Sequence, residues 1–86
     1  MTRDEIIAVI ADAVREETDE PGLDIGPRTT ALEVPGWDSL AHVRIILNVG
    51  VRLHANIDIS KTYLAANVGD LADIVQREIA DQVHPS

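Results

Sequence analysis

An all-α fold is predicted for this 86-residue chain: a four-helix bundle of three main helices and one short helix, with a long loop between the first and second. Three features point to it. Apolar residues make up 45% of the sequence but include one Trp, one Tyr and no Phe, so the core must be built from Leu, Ile, Val and Ala. These aliphatics recur at helical rather than strand spacing. Pro and Gly gather in one stretch instead of punctuating the chain at short regular intervals, as they would between many strands. The length suits one domain, 1–86, with a single small core.

Each element has a local reason. Thr2 and Glu5 have the spacing of a capping box, in which each side chain satisfies the other's exposed backbone N–H. Ile6, Val9, Ile10, Ala13 and Val14 then recur on one helical face, with Asp12, Arg15, Glu16 and Glu17 on the wet side, until the helix fades near Thr18. From Asp19 to Trp37 the chain carries Pro21, Gly22, Gly26, Pro27, Pro35 and Gly36 and reads as a long loop. Its aliphatics Leu23, Ile25, Leu32 and Val34 are spaced to pin it to the core.

Asp38 and Ser39 offer N-capping side chains for a second helix marked by Leu40, Val43, Ile46, Leu47, Val49 and Leu53. Gly50 within it should cost roughly 1 kcal/mol relative to Ala. "NIDIS", Asn56 to Ser60, alternates like a strand but has no partner strand, so it reads as an extended connection. Residues 60–66 suit a short helix of about two turns. Asn67 can cap the last helix, with Asp70 in its first turn and Leu71, Ile74, Val75 and Ile79 facing inward. The polar tail "DQVHPS" is expected to fray over 83–86.

The formal net charge of −8 excludes a phosphate-backbone binder, which needs clustered Lys and Arg, so nucleic acid is not an expected partner. An acidic carrier or adaptor is instead drawn to basic patches on other proteins. With no Cys and no long apolar run, neither a disulfide framework nor a signal peptide or membrane span is expected, and the default location is cytoplasmic.

The stretch "PGWDSLAH", Pro35 to His42, gathers the residues capable of chemistry. Asp38, Ser39 and His42 suggest a hydrolytic triad, and Ser39 and His42 form an i, i+3 pair. A triad also needs an oriented base, an oxyanion site and a nucleophile turn, and no Gly-rich elbow is present. His42, His54 and His84 match no metal-ligand spacing and are each expected to face solvent, so no metal is assigned. Trp37 before a helix reads first as an apolar plug that also orients the serine. Ile45, Leu47, Val51 and Leu64 are an apolar excess, mostly core with some left as a partner surface. A serine in the first turn of a helix places its hydroxyl beside unpaired N–H groups where the dipole favours a phosphate, which suits a phosphodiester-linked arm.

Taken together, "TALEVPGWDSLAHV", "IDIS" and "NVGDLADIV" resemble the acyl carrier protein family and the related peptidyl carrier domains over nearly the whole chain. The resemblance implies a carrier and not an enzyme, with 4′-phosphopantetheine on Ser39, Asp38 assisting its transfer by contacting the synthase's metal, and Leu40 docking partners. The implied partners are a phosphopantetheinyl transferase of the holo-ACP synthase type, an acyl- or aminoacyl-loading ligase, and a downstream acyltransferase or synthase, with the chain itself a stand-alone monomer.

Two departures from the family pattern point to a specialised lipid or secondary-metabolite pathway. Fatty-acid carriers have an acidic second helix, whereas Ser39 to Asn67 holds Arg44, Arg52, Lys61 and Asp58, a local excess of two positive charges. Arg44, Leu47 and Arg52 are therefore expected to bind a dedicated partner together with Leu40. Ala31 and Leu53 stand where such carriers often have phenylalanine, which implies a core and acyl cavity of different size. Candidate cavity residues are Ile46, Val49, Ile57, Ala65 and Leu71. Two alternatives stand beside this reading: an aminoacyl or peptidyl carrier that does not sequester its cargo, and an unmodified helical interaction module in which Ser39 is only an N-cap.

Overall fold

The structure, a computed structural model of the chain, describes residues 1–83. Among these residues all regular structure is helical: α1 (Arg3–Glu17), a 3₁₀ turn (Ala31–Glu33), α2 (Ser39–Leu53), α3 (Ile59–Thr62) and α4 (Val68–Val83). The expectation of fraying over 83–86 lies outside the described residues beyond Val83, as does His84.

α1 starts where its sequence says it should. Thr2 Oγ1 accepts from the Glu5 amide at 3.2 Å, while the Glu5 carboxylate accepts from the Thr2 amide at 2.9 Å, so two otherwise orphaned donors are satisfied. Ile6, Ile10 and Val14 then project into the core, where α1 packs against both α2 and α4. α2 contributes Ile45, Ile46 and Val49, and α4 contributes Val68, Leu71 and Val75, all essentially removed from water. The core is aliphatic throughout, as the composition requires.

The 19–37 loop is stitched to the bundle through backbone groups. Arg15 Nε donates to the Leu23 carbonyl at 2.7 Å. The carbonyls of Thr29 and Pro27 accept from the Val68 and Gly69 amides at 2.9 and 2.8 Å, so the loop satisfies the first donors of α4. Asn67 Oδ1 completes that end by accepting from the Asp70 amide at 2.8 Å. Ile25 and Val34 are buried and Leu23 is half-buried, but Leu32 is fully exposed, contrary to its expected role as a pin. It sits in a 3₁₀ turn closed locally by Glu33, whose carboxylate accepts from both the amide and the hydroxyl of Thr30, and the tight turn carries Leu32 to a different side from Val34.

α3 is one turn long rather than the two expected over 60–66. Thr62 Oγ1 donates back to the Ile59 carbonyl at 2.6 Å, and the amides of Leu64 and Ala65 bond three residues back, so the chain tightens out of the helix. The extended connection expected over Asn56–Ser60 is shorter than that, because Ile59 and Ser60 already belong to α3 behind the Asp58 cap, and it is clamped to α4: the Asp58 amide donates to Glu78 Oε1 at 2.9 Å and Lys61 Nζ to Glu78 Oε2 at 3.1 Å.

Candidate functional site

The turn that leads into α2 sets the geometry of the site. Gly36 adopts φ +85°, a left-handed conformation that glycine takes without cost, and this reverses the chain after Pro35. The reversal brings Asp38 to the N-cap of α2, where its Oδ1 accepts from the Ala41 amide at 2.8 Å. Asp38, not Ser39, therefore caps the helix. Ser39 is the first helical residue, exposed, and its hydroxyl makes no hydrogen bond among the described residues.

Beneath the serine, the structure overturns the expectation that His42 faces solvent. It is buried, with both ring nitrogens committed: Trp37 Nε1–H donates to Nδ1 at 3.1 Å, and Nε2 lies 2.8 Å from Thr62 Oγ1. The rings of Trp37 and His42 are nearly parallel, at 17°, and Tyr63 lies across the imidazole with ring centroids 4.7 Å apart. Helical rotation puts residues 39 and 42 near one another along the axis, but the loop and α3 close over residue 42 and leave residue 39 outside. Neither imidazole nitrogen is available to Ser39 as a base. Burial pushes the imidazole's pKa below its ordinary 6.5.

A cleft of about 340 Å³ opens beside Ser39, walled by Ala31 and Trp37 on the loop side and Thr62, Tyr63 and Ala65 on the α3 side. It shares His42, Trp37 and Thr62 with a cavity of about 260 Å³ that reaches Asn67 and Leu71. A third cavity of about 490 Å³ lies at the other end of α2, lined by Ile46, Leu47, Gly50, Val51 and Ile57. The five candidate cavity residues are thus not brought together: Ile46 and Ile57 line the far cavity, Ala65 and Leu71 the near one, and Val49 is in the core.

The surface residues divide as well. Leu40 and Leu47 are exposed and share one face of α2 with Arg44 and Val51, at the i, i+4, i+7 and i+11 positions. Arg52 lies about a third of a turn away, donating to Glu16 at 2.9 Å and to Asn48 at 2.7 Å, so it braces α2 against α1. Ile45 is core, while Leu47, Val51 and Leu64 are exposed. Sequence reasoning did not find Leu32 and Tyr63 as exposed apolar neighbours of the cleft; the polar Thr30 and Glu33 flanking Leu32 were the available signal.

Among the described residues no group of three or more His, Cys, Asp or Glu side chains is placed to hold a metal, and no helix is long and apolar enough to cross a membrane. No protein-family model and no curated protein matches the chain. Solved structures do. A chain of the crystal structure of the curacin biosynthetic pathway HMG synthase in complex with acetyl donor-ACP is 28% identical, with a TM-score of 0.76, over 87% of this chain and 96% of that one. The solution structure of a holo acyl carrier protein from Geobacter metallireducens is 26% identical, with a TM-score of 0.74, over 93% of this chain and 94% of that one. Likeness to a holo carrier supports a non-enzymatic protein. The helix order, the turn that exposes Ser39 and these two likenesses agree: this chain has the fold of the acyl carrier proteins.

Proposed function

We propose that this protein carries an acyl or aminoacyl group as a thioester on 4′-phosphopantetheine joined to Ser39. One observation carries the reading: Asp38 caps α2, so the exposed Ser39 hydroxyl is left without a structural task. The residues fit the group. The hydroxyl stands at the positive end of α2, where a phosphodiester is stabilised, and the cleft beside it offers an apolar wall in Ala31, Trp37 and Tyr63 along which an arm can lie. When attached, the arm supplies the thiol that forms the thioester. Ser39 Oγ is the attachment atom, and Asp38 holds the helix start in place through one carboxylate oxygen while the other carries no hydrogen bond among the described residues, free to assist transfer.

Docking of the phosphopantetheinyl transferase, a loading ligase and a downstream acyltransferase or synthase is assigned to the strip of Leu40, Arg44 and Leu47, extended by Val51. No acidic residue occurs in α2, so the cognate surface is expected to be apolar with an acidic rim, and a specialised lipid or secondary-metabolite pathway suits it better than general fatty-acid synthesis. Arg52, tied to Glu16, is a secondary contact in this reading. Separation of the five cavity candidates favours a second form of it, in which an aminoacyl or other short cargo rides outside the bundle.

Co-expression with a broad-specificity phosphopantetheinyl transferase tests the proposal. The intact mass of the wild type should rise by one phosphopantetheinyl group, and that of Ser39→Ala should not. An unchanged wild-type mass under conditions that modify a control carrier overturns it.

A further inference from the structure

We propose that His42 is a positioning residue, a pH-sensitive clasp that in its neutral form ties Trp37 of the loop to Thr62 of α3 beside the Ser39 cleft and releases Trp37 when protonated. The inference rests on the reading of Ser39 as the attachment residue for its functional meaning, but its geometry is independent of it.

The proton positions follow from the partners. An indole N–H is only ever a donor, so Nδ1, 3.1 Å from Trp37 Nε1, must present its lone pair. Thr62 Oγ1 sends its own proton to the Ile59 carbonyl at 2.6 Å and is left to accept from Nε2–H at 2.8 Å. The bridge is fully satisfied only as the neutral Nε2–H tautomer. A second proton can go only to Nδ1, where it meets the indole N–H donor to donor. The Thr62 bond survives that event, and the Tyr63 ring, 4.7 Å away, is a favourable neighbour for an imidazolium. Protonation therefore opens the clasp on the loop side alone.

What is released is the wall of the site. Trp37 immediately precedes the Asp38 cap, lines the cleft beside Ser39 and is half-buried, held at its polar edge by this bond. The titratable groups on the elements around His42 do not supply a compensating charge at Nδ1. Asp38 is turned to the Ala41 amide, Lys61 to Glu78, and Asp70 to the Ala66 amide, while Tyr63 meets the imidazole with its ring. Burial acts in the same direction, keeping the imidazole neutral at neutral pH.

Trp37 is the sole tryptophan, so its emission reports the contact without any partner enzyme. In a titration of the unmodified protein from about pH 8 to about pH 5, the emission should shift to longer wavelength in one step below pH 6.5 while the helical signal at 222 nm holds. His42→Asn, which offers a non-titrating oxygen near the Nδ1 position, should lack the step. Nitrogen-15 spectra of the wild type should show Nε2 protonated and Nδ1 bare at neutral pH. With a transferase present, the ratio of Ser39 modification rates, wild type over His42→Asn, should fall several-fold across the same range. The opposite tautomer, an emission step that persists in His42→Asn, or a constant rate ratio overturns the clasp. A His42-dependent step in a protein that is never modified supports the clasp and overturns only the carrier reading.

Discussion

Replacing Asp38 and Ser39 separately by Ala should have different consequences for stability. The Asp38 carboxylate makes the side-chain bond that caps α2, at 2.8 Å to the Ala41 amide, and it places a negative charge at the positive end of that helix. Loss of an N-cap typically costs about 1 kcal/mol, within a range of about 0.5–2 kcal/mol. For a domain of this size each kcal/mol lowers Tm by about 4–8 °C, so Asp38→Ala should melt about 4–8 °C below the wild type. Asp38→Asn keeps an accepting oxygen and should recover most of the loss. The Ser39 hydroxyl makes no hydrogen bond among the described residues and is exposed, so Ser39→Ala should stay within about 0.5 kcal/mol of the wild type. Thermal melts followed at 222 nm decide the matter. If Ser39→Ala melts as low as Asp38→Ala, the serine is the cap and the argument that its hydroxyl is free for chemistry fails.

Gly50→Ala in a helix interior would ordinarily stabilise by up to about 1 kcal/mol, but a Cβ here would lie 2.8 Å from the Ala55 carbonyl oxygen, so denaturant melts should show a loss instead. Arg44→Glu should slow association with a cognate partner, most at low salt, and leave the melt unchanged, whereas Arg52→Glu, which sets a second carboxylate against Glu16, should reduce stability by up to about 1 kcal/mol. Stability measured against pH should fall in two stages as acid is added. His42 is held below 6.5 by burial, so the unfolded chain takes up its proton first and stability declines below about pH 6.5 by at most about 1.4 kcal/mol per unit. Glu78 is held below 4.5 by the Asp58 amide and then Lys61, and Asp58 below 3.8 by Ser60, so their contribution is complete above those values and lost as pH drops through the folded values. His42→Asn should remove the first stage and Glu78→Gln should flatten the second.

What was legible in the sequence was what a few neighbouring residues decide. The Thr2–Glu5 box, the Asp38 cap, the Asn67 cap and the aliphatic faces of α1 and α4 are all set within about one or two helical turns, and each stands where its spacing puts it except Ile74, which lies outside the core in a surface cleft with Leu64 and Arg77. What failed depends on partners distant in the chain. His42 looked solvent-facing because Thr62, twenty residues on, supplies the acceptor that makes its burial tolerable. The tie of Arg52 to Glu16, thirty-six residues back, is likewise invisible in the local sequence. Gly50 looked like a flaw in a helix until the return of the chain at Ala55, whose amide bonds the Gly50 carbonyl at 2.9 Å, showed why no Cβ fits. The spacing of Leu32 with Leu23, Ile25 and Val34 suits a pin to the core, but such spacing says nothing about the direction a 3₁₀ turn gives a side chain.

The attachment of a phosphodiester-linked arm to Ser39 is tested most directly by peptide mapping of the protein after co-expression with the transferase. Trypsin cuts after Arg28 and Arg44, so residues 29–44 are released as one peptide whose hydroxyls are those of Thr29, Thr30 and Ser39. The account predicts a single phosphopantetheinyl addition on this peptide, localised by fragmentation to Ser39 and missing from Ser39→Ala. An addition on either threonine, on another peptide, or none at all beside a fully modified control carrier would contradict it.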